Sequence, residues 1–266
     1  MKKVSFVIPC YRSANTIGVV VDEIRDTMST LPEYDYEIIL VNDCSPDNTL
    51  EVISALALSD SRITAVDLAK NFGQHAALMS GISHSTGDFV VCLDDDGQTP
   101  ANEVGKLLAR LEQDDCDVAM ASYEHKQHSA FRNFGTKLNN RMTEIMLGKP
   151  RDLSMTSYFA IKRFIVDEML KYKNCFPYLD GLILRCTHRI RTVPVQHRAR
   201  MEGSSGYTLG KLFALWMDGF TAFSVKPLRL ASIFGALTAF AGFIYTIVII
   251  IKHFIYSDIP MGWSST

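Results

Sequence analysis

The sequence lacks several patterns that would assign a function directly. No glycine-rich G-x-G-x-x-G follows the first apolar run, which argues against a dinucleotide site of the Rossmann type. None of the 6 cysteines stands in a C-x-x-C pair, and the 7 histidines show no metal-ligand spacing. Several cysteines lie in apolar, strand-like runs, which is typical of reduced, buried thiols in a cytosolic compartment.

Net charge is also small, and it is unevenly distributed. The formal net charge is -2 at pH 7, which gives no support for a nucleic-acid partner. Residues 1–120 contain 8 Lys and Arg against 20 Asp and Glu, whereas residues 121–230 contain 18 against 8. The basic half therefore directly precedes the most hydrophobic segment.

One long hydrophobic run, from Leu230 to Ile251, contains no charged residue. A helix of this length spans about 33 Å, which matches the hydrocarbon core of a bilayer. We therefore predict a transmembrane helix over residues 228–252, with a buried core helix as the alternative. The basic residues before the run favour the cytoplasm for the N-terminal part, and hence an inner (cytoplasmic) membrane location.

The stretch before this run crowds apolar and aromatic residues around Lys211 and Asp218. That pattern suits an amphipathic helix lying in the membrane interface, which we assign to residues 208–227. An ordinary amphipathic packing helix fits the same pattern.

Short apolar runs alternate with helix-patterned stretches along most of the chain. This alternation predicts an α/β fold, with a mostly parallel sheet and helices on both of its faces. Ligands bind at the carboxyl ends of the strands in such a sheet. Helices are predicted after Asn15 and Asp47, which are their expected N-caps, and over Phe131–Leu147 and Arg163–Lys171. Extended segments are predicted at Val4–Ile8, Glu37–Val41, Ile63–Val66, Phe89–Leu93, Val118–Ala121, Thr156–Ile161 and Thr192–Val195.

Three successive carboxylates, Asp94, Asp95 and Asp96, follow the fourth predicted strand. In a low-dielectric setting they repel one another strongly unless a cation compensates their charge, and a hard divalent ion is the simplest compensation. In an extended chain Asp94 and Asp96 point to the same side and Gln98 continues it, so these residues can approach one Mg2+ or Mn2+. The alternative is a solvated acidic loop that caps the following helix.

Two other strand ends carry residues suited to a nucleoside. Asp43 lies in V-N-D-C-S-P-D-N-T after the second strand, where its carboxylate can accept hydrogen bonds from a base or a ribose. Tyr11, in Pro9-Cys10-Tyr11, offers a ring that can stack under a nucleobase. Each has a plainer alternative, since Asp43 can belong to a turn and helix cap and Tyr11 can simply end a strand.

Taken together, these motifs resemble family 2 glycosyltransferases with the GT-A fold. The order and spacing that carry this resemblance are those of Pro9-x-Tyr11, Asp43, Lys70-Asn71-Phe72-Gly73 and Asp94-x-Asp96-x-Gln98. Two further motifs look like the branch of dolichyl-phosphate mannose synthase and bactoprenol glucosyltransferase. They are Arg198-x-Arg200-x-x-Gly203-x-Ser205-x-Tyr207 and Lys226-Pro227-Leu228-Arg229. The resemblance covers nearly the whole chain.

The resemblance implies a domain order. A cytoplasmic GT-A catalytic domain would occupy residues 1–207, followed by the interfacial helix at 208–227 and the transmembrane helix at 228–252. Members of this branch often carry a second transmembrane helix, so we expect residues 253–266 to form a loop that stops before it. A homo-oligomer is also an open expectation, because single-span anchors of this kind commonly associate.

The resemblance also implies roles for individual residues. The implied nucleotide-binding set is Pro9, Tyr11, Asp43, Asn71, Asp94, Asp95 and Arg200. The implied ligands of Mg2+ or Mn2+ are Asp94, Asp96 and Gln98. The implied catalytic set is Asp96, Arg132 and Arg200. Of the two arginines, Arg132 fits the acceptor phosphate, and Arg200 fits either the donor diphosphate or that acceptor.

Three positions depart from the family pattern. Arg12 stands where an acidic residue after the tyrosine is common, and Asn42 stands where Asp is frequent. Ser157 occupies a place where some bactoprenol glucosyltransferases have an Asp. A phosphate acceptor does not need that carboxylate as a base, because its second pKa near 6 leaves it an anionic nucleophile at pH 7.

The resulting prediction is an inverting transfer of sugar from a nucleotide-sugar donor, with UDP as the expected nucleotide, to polyprenyl (undecaprenyl) phosphate. A single in-line displacement at the anomeric carbon would use the metal and Arg200 to stabilise the departing diphosphate and Arg132 to orient the acceptor. One alternative is transfer to a hydroxyl of a lipid-linked saccharide, with Asp152 or Asp180 as base. Another is a non-catalytic membrane-bound nucleotide-sugar sensor, against which the acidic cluster argues.

Overall fold

Seven apolar segments pair into one sheet, because their β-branched and aliphatic residues fit a pleated, buried surface. The computed structural model describes residues 1–123, 144, 149–150, 153, 155–175, 177–196 and 226–255. The chain divides into two compact units, Met1–Leu215 and Trp216–Thr266. The strands of the first unit are β1 (Lys2–Cys10), β2 (Tyr34–Asn42), β3 (Ile63–Asp67), β4 (Phe89–Cys92), β5 (Val118–Tyr123), β6 (Phe159–Lys162) and β7 (Ile190–Val195).

The strand order is β3-β2-β1-β4-β6-β5-β7. The neighbouring pairs are parallel except for the two that involve β6, which runs antiparallel to β4 and to β5. The predicted mostly parallel sheet is therefore confirmed. The direction of β6 was not predicted, because an extended segment carries no local signal of its orientation.

Helices connect the strands, and their starts differ slightly from the predicted ones. The first helix begins at Ile17 with Thr16 as N-cap, and the second begins at Thr49 with Asn48 as N-cap, so Asn15 and Asp47 are each one residue early. Asp47 still accepts the backbone N–H of Thr49 at 3.3 Å, which explains why its pattern resembles a cap. The helices of this unit are α1 (Ile17–Ser29), α2 (Thr49–Ser59), α3 (Gln74–His84), α4 (Val104–Leu111), α5 (Arg163–Met169) and α6 (Leu179–Cys186).

Helices cover both faces of the sheet, as predicted. Alternate residues of β1, such as Phe6 and Ile8, pack with α1 and α4 in the main hydrophobic core. The opposite face of the same strand meets α3, where a Cβ on Gly81 would lie 2.4 Å from Val7 and 2.9 Å from Val41. This close approach brings the first residues of α3 to the carboxyl edge of the sheet.

The second unit contains a single described helix, α7 (Lys226–Ile255). Its segment Ala231–Ile255 has a mean hydropathy of 2.3, and by length and composition it is long and apolar enough to cross a membrane. Large apolar side chains along it, such as Phe234 and Phe240, are exposed. Residues 208–225, which include most of the predicted interfacial helix, lie outside the described residues.

Two helical glycines provide a test of the close packing of α3. Gly81→Ala should lower the free energy of unfolding by about 1–3 kcal/mol, because the added methyl group overlaps two valines of the sheet. Gly18→Ala in α1 is the matched control, since nothing lies within 4 Å of its Cβ position and alanine favours helix, so it should stabilise by about 0.5–1 kcal/mol. Thermal and urea unfolding of the purified chain in detergent measures both. Equal stability of the two variants would contradict this packing.

Candidate functional site

The carboxyl ends of three parallel strands meet at one edge of the sheet. Cys10 of β1 pairs with Asn42 of β2, and Val7 of β1 pairs with Cys92 of β4. The residues that follow these strands therefore share this edge, which is where open α/β sheets bind ligands. They include Tyr11, Asp43 and the acidic run, so the structure brings together three of the motifs singled out in the sequence.

The chain leaves β1 and β2 through two sharp turns. Arg12 and Cys44 adopt left-handed backbone conformations, with φ of 59° and 49°. Such conformations cost about 1–2 kcal/mol for residues with a Cβ, so the surrounding contacts must hold them. One of these contacts joins the two turns, because the Arg12 N–H donates to Ser45 Oγ at 2.8 Å. The turns leave Tyr11 45% exposed, whereas Pro9 is buried within β1.

Asp43 is almost fully buried and fixes the loop before α3. Its two carboxylate oxygens accept the backbone N–H groups of Phe72 at 2.7 Å and Gly73 at 2.9 Å. The Asn71 amide donates to the Asp43 carbonyl at 3.2 Å, and Gly73 supplies the positive φ of 87° that the turn into α3 requires. The predicted nucleoside-binding residues Asp43 and Asn71 thus hold the rim of the site in place, and Asp43 keeps only part of its acceptor capacity for a ligand.

Asn42, one of the three departures from the family pattern, has a clear structural role. Its amide donates to Asp67 at 2.8 Å, and its carbonyl oxygen accepts the backbone N–H of Ser45 at 3.1 Å. An aspartate at position 42 would set a second carboxylate against Asp67, and like charges directly opposite each other destabilise a sheet. Asparagine at this position removes that repulsion.

Asp94 lies at the centre of the edge and is held by two neutral donors. Gln74, the first residue of α3, donates to one carboxylate oxygen at 2.8 Å, and the Ser157 hydroxyl donates to the other. Burial raises the pKa of Asp94 to about 6; the Ser157 hydrogen bond opposes this rise, and the charges of Asp96 and Asp95 add to it. Asp94 is nevertheless partly exposed as a residue, so it is not part of the fully buried core.

The rest of the acidic run forms a turn and not an extended strand. Strand β4 ends at Cys92, Gly97 has a φ of 74°, and the Gln98 N–H donates to Asp96 at 3.0 Å. The prediction that the side chains of Asp94, Asp96 and Gln98 point to the same side assumed an extended chain, and it therefore does not apply here. Burial raises the pKa of the Asp95 carboxyl, while the Tyr11 N–H, which donates to it at 3.1 Å, opposes that rise.

The acidic turn suits a metal ion only if the substrate completes the coordination. Among the described residues, no group of three or more His, Cys, Asp or Glu side chains is arranged to hold a metal ion. Burial raises the pKa of Asp94, however, and the charges of Asp96 and Asp95 add to the rise, so negative charge is concentrated here. Mg2+ typically binds through one or two carboxylates together with substrate phosphates, and carboxylate oxygens also suit Mn2+. The residues present therefore fit a metal shared with a diphosphate.

Several residues of this edge were missed or given no role in the sequence prediction. Gln74 and Ser157 donate hydrogen bonds to Asp94. Tyr123, at the end of β5, lies near the acidic turn: burial raises the pKa of its hydroxyl, and the charges of Asp94 and Asp96 add to that rise. No local signal marks these contacts, because they join segments that are distant in the sequence. The predicted residues Arg132 and Arg200 lie outside the described residues.

Comparison with known sequences gives consistent matches. The family described as Glycosyl transferase family 2 matches residues 5–170. The undecaprenyl-phosphate 4-deoxy-4-formamido-L-arabinose transferase of Klebsiella pneumoniae subsp. pneumoniae is 33% identical over 252 residues, covering 94% of this chain and 76% of the relative. The protein of the same description from Yersinia enterocolitica is 33% identical over 257 residues, covering 96% and 78%.

Solved structures share the fold at low sequence identity. Mannosyl-3-phosphoglycerate synthase from Rubrobacter xylanophilus superposes with a TM-score of 0.58 at 18% identity, covering 87% of this chain and 75% of that one. Glucosyl-3-phosphoglycerate synthase from Mycobacterium tuberculosis, in complex with Mn2+ and uridine-diphosphate-glucose, gives 0.55 at 18%, covering 80% and 75%. Mannosyltransferase PcManGT from Pyrobaculum calidifontis, in complex with GDP-Man and Mn2+, gives 0.53 at 20%, covering 73% and 55%.

Replacement of Asp94 by asparagine should stabilise the metal-free protein. The folded-state pKa of about 6 lies above the unfolded value, so ionisation of this carboxyl opposes folding at neutral pH. Asp94→Asn should therefore raise the free energy of unfolding at pH 7.5 by up to about 3 kcal/mol. The gain should shrink as the pH falls below about 6, and it should vanish only below about 3, where the carboxyl is protonated in both states.

Thermal unfolding in EDTA at a series of pH values measures this gain. Asp167→Asn on α5 is the matched control, because that side chain is 60% exposed and its ion pair with Arg163 is long, at 4.0 Å. A stability of Asp94→Asn at or below that of the wild type at pH 7.5 would contradict the account.

Proposed function

The chain belongs to glycosyltransferase family 2 and has the GT-A fold, and from this premise we propose that it transfers a sugar from a nucleotide-sugar donor to polyprenyl phosphate. The observation that carries the proposal is the acidic turn, with Asp94 fixed by Gln74 and Ser157 beside the exposed Tyr11 ring. This arrangement combines a place for a diphosphate with a platform for a base. The reaction is therefore assigned to the carboxyl edge of β1, β2 and β4.

The proposed acceptor is undecaprenyl phosphate or a related polyprenyl phosphate. Support comes from the two relatives described as undecaprenyl-phosphate transferases, whose similarity to this chain extends over 94% and 96% of its length. Helix α7 supplies a means of holding the enzyme at a bilayer, where such an acceptor resides. We place the catalytic unit on the cytoplasmic side of the inner membrane, in keeping with the basic residues that precede α7.

The proposed donor is a UDP-sugar. Its base would stack on the ring of Tyr11, a residue that is 45% exposed, and its ribose would lie toward the loop that Asp43 holds. Its diphosphate would lie at Asp94 and Asp96, with Mg2+ or Mn2+ completing the site. Structures of the same fold that contain Mn2+ with uridine-diphosphate-glucose or GDP-Man support this placement, although they do not distinguish the two nucleotides.

The mechanism we propose is a single in-line displacement with inversion at the anomeric carbon. An oxygen of the acceptor phosphate forms a bond to that carbon as its bond to the donor diphosphate breaks, so the nucleoside diphosphate leaves with the electron pair. The acceptor is already anionic at pH 7, so a hydroxyl such as that of Ser157 can occupy the position near Asp94 without loss of a required base. A bound Mg2+ or Mn2+ would supply the charge that neutralises the leaving diphosphate.

The chain's own residues contribute position and charge to this step. Gln74 and Ser157 fix the orientation of Asp94, and the Tyr11 N–H fixes that of Asp95. We assign Arg132 to the acceptor phosphate and Arg200 to the departing diphosphate or that acceptor, since guanidinium groups match phosphate oxygens geometrically. Positioning of this kind is the main requirement when the nucleophile needs no activation.

Transfer of radiolabelled sugar tests this function. We expect label from one or more of a panel of UDP- and GDP-sugars to enter undecaprenyl phosphate in detergent with Mn2+, and to be absent with EDTA. Asp96→Ala should reduce the rate by about 100-fold or more, because a charge that orients the metal and diphosphate is lost. Asp167→Ala, an exposed carboxylate change on α5, should retain the wild-type rate.

Other outcomes identify the alternatives. Label that enters lipid only when a lipid-linked saccharide is supplied would replace the phosphate acceptor by a hydroxyl acceptor. Donor binding without transfer to any lipid would indicate a nucleotide-sugar sensor.

A further inference from the structure

The turn that follows β1, residues 11–13, is held by side chains from two other segments of the fold. We call it the β1 turn. Its three successive backbone N–H groups each donate to a side-chain oxygen: Tyr11 to Asp95 at 3.1 Å, Arg12 to Ser45 at 2.8 Å and Ser13 to Thr49 at 3.0 Å. Because the left-handed conformation of Arg12 costs about 1–2 kcal/mol, the β1 turn depends on such contacts for its shape.

Two of these three acceptors belong to the segment between β2 and α2. The hydroxyl groups of Ser45 and Thr49 both donate to one carboxylate oxygen of Asp47, at 2.5 Å and 2.6 Å. Asp47 therefore fixes the two hydroxyls that accept from the β1 turn. Neither hydroxyl belongs to the acidic turn where we place the metal ion.

The third acceptor, Asp95, lies in the acidic turn, between two of the proposed metal ligands. Its described contacts are with the end of β1 and the β1 turn. Burial raises the pKa of the Asp95 carboxyl, and the nearby Ser13 hydroxyl and the Tyr11 N–H oppose that rise. Burial also raises the pKa of the Cys10 thiol, and the charge of Asp95 adds to it. Asp95 thus lies against the chain from Cys10 to Ser13.

A single carboxylate therefore joins the acidic turn to the residue whose ring is the proposed platform for the base. Three adjacent carboxylates repel one another, which disfavours any arrangement that keeps them close. A divalent ion bound by Asp94 and Asp96 would offset this repulsion, and so favour the arrangement in which Asp95 accepts the Tyr11 N–H. A base stacked on Tyr11 would favour the same arrangement. Two ligands that favour one arrangement bind cooperatively, and the effect is reciprocal.

We propose that Asp95 is a positioning residue that couples the metal and diphosphate at the acidic turn to the base at Tyr11, so that each raises the affinity for the other. This role rests on the proposed function, from which it takes the places of the base and the metal. Asp95 then acts through the β1 turn and does not itself bind the donor, in contrast to the role that the family resemblance implies.

Unlinked fragments of the donor test this coupling, because they share no covalent bond. The nucleoside probe is 5′-deoxyuridine, with 5′-deoxyguanosine as a second base, and the other fragment is pyrophosphate with Mg2+. Ligand-observed NMR measures the affinity of the full chain in detergent for the nucleoside, first in EDTA and then with saturating Mg2+ and pyrophosphate. The ratio of the two affinities is the coupling factor, and it should be about fivefold or more in the wild type.

Three variants separate the role of Asp95 from a general loosening of the β1 turn. Asp95→Ala removes the acceptor of the Tyr11 N–H, so the coupling factor should fall to about 1. Asp95→Asn keeps an oxygen that can accept this N–H, so it should retain most of the factor. Ser45→Ala is the matched control, because it removes the acceptor of the next N–H in the same turn. It should lower nucleoside affinity equally under both conditions and leave the factor unchanged.

A coupling factor of about 1 in a wild type that binds UDP or GDP with Mg2+ would overturn the inference and leave the proposed function standing. This outcome needs no variant, so it does not depend on whether Asp95→Ala folds. A wild-type factor in Asp95→Ala would also overturn the inference, as would an equal loss in Ser45→Ala or in Asp95→Asn. Failure of the wild type to bind either nucleoside diphosphate with Mg2+ would instead overturn the proposed function, and the role of Asp95 with it.

Discussion

Confinement of three adjacent carboxylates at the end of a buried strand is the constraint on which the rest of the site depends. Burial, to which the like charges of Asp96 and Asp95 add, opposes ionisation of Asp94 and raises its pKa to about 6. The fold meets the constraint with neutral donors: Gln74 and Ser157 on Asp94, and a backbone N–H on Asp95. These donors orient the carboxylates and carry no charge of their own, which is what the proposed binding of a metal ion and a diphosphate requires.

The two donors to Asp94 come from different parts of the fold. Gln74 begins α3, whose close packing on β1 requires Gly81 and whose preceding loop is held by Asp43. Ser157 precedes β6, the strand that runs against the direction of its neighbours and so begins at the carboxyl edge beside the end of β4. The orientation of β6 thus shapes the candidate site, because it brings a hydroxyl to Asp94 from outside the parallel part of the sheet.

Much of this architecture could be predicted from the sequence, because its signals are local. The apolar runs marked the strands, the acidic run marked the edge, and the charge-free run marked α7. What could not be predicted depends on contacts between distant residues: Ser157 lies 63 positions from Asp94, and Leu179 lies 104 from His75. The turn at Gly97 was also missed, because the sequence prediction continued the extended conformation beyond Cys92, where β4 ends. It did not consider that glycine readily adopts a positive φ.

The central claim, that a phosphate oxygen attacks the anomeric carbon, is tested most directly by the structure of the product. The lipid formed from a donor labelled with carbon-13 at the anomeric position can be purified and examined by carbon and phosphorus NMR. The account predicts an anomeric carbon coupled to a single phosphodiester phosphorus, with a configuration opposite to that of the donor. An anomeric carbon without phosphorus coupling, attached to a saccharide hydroxyl, would contradict it.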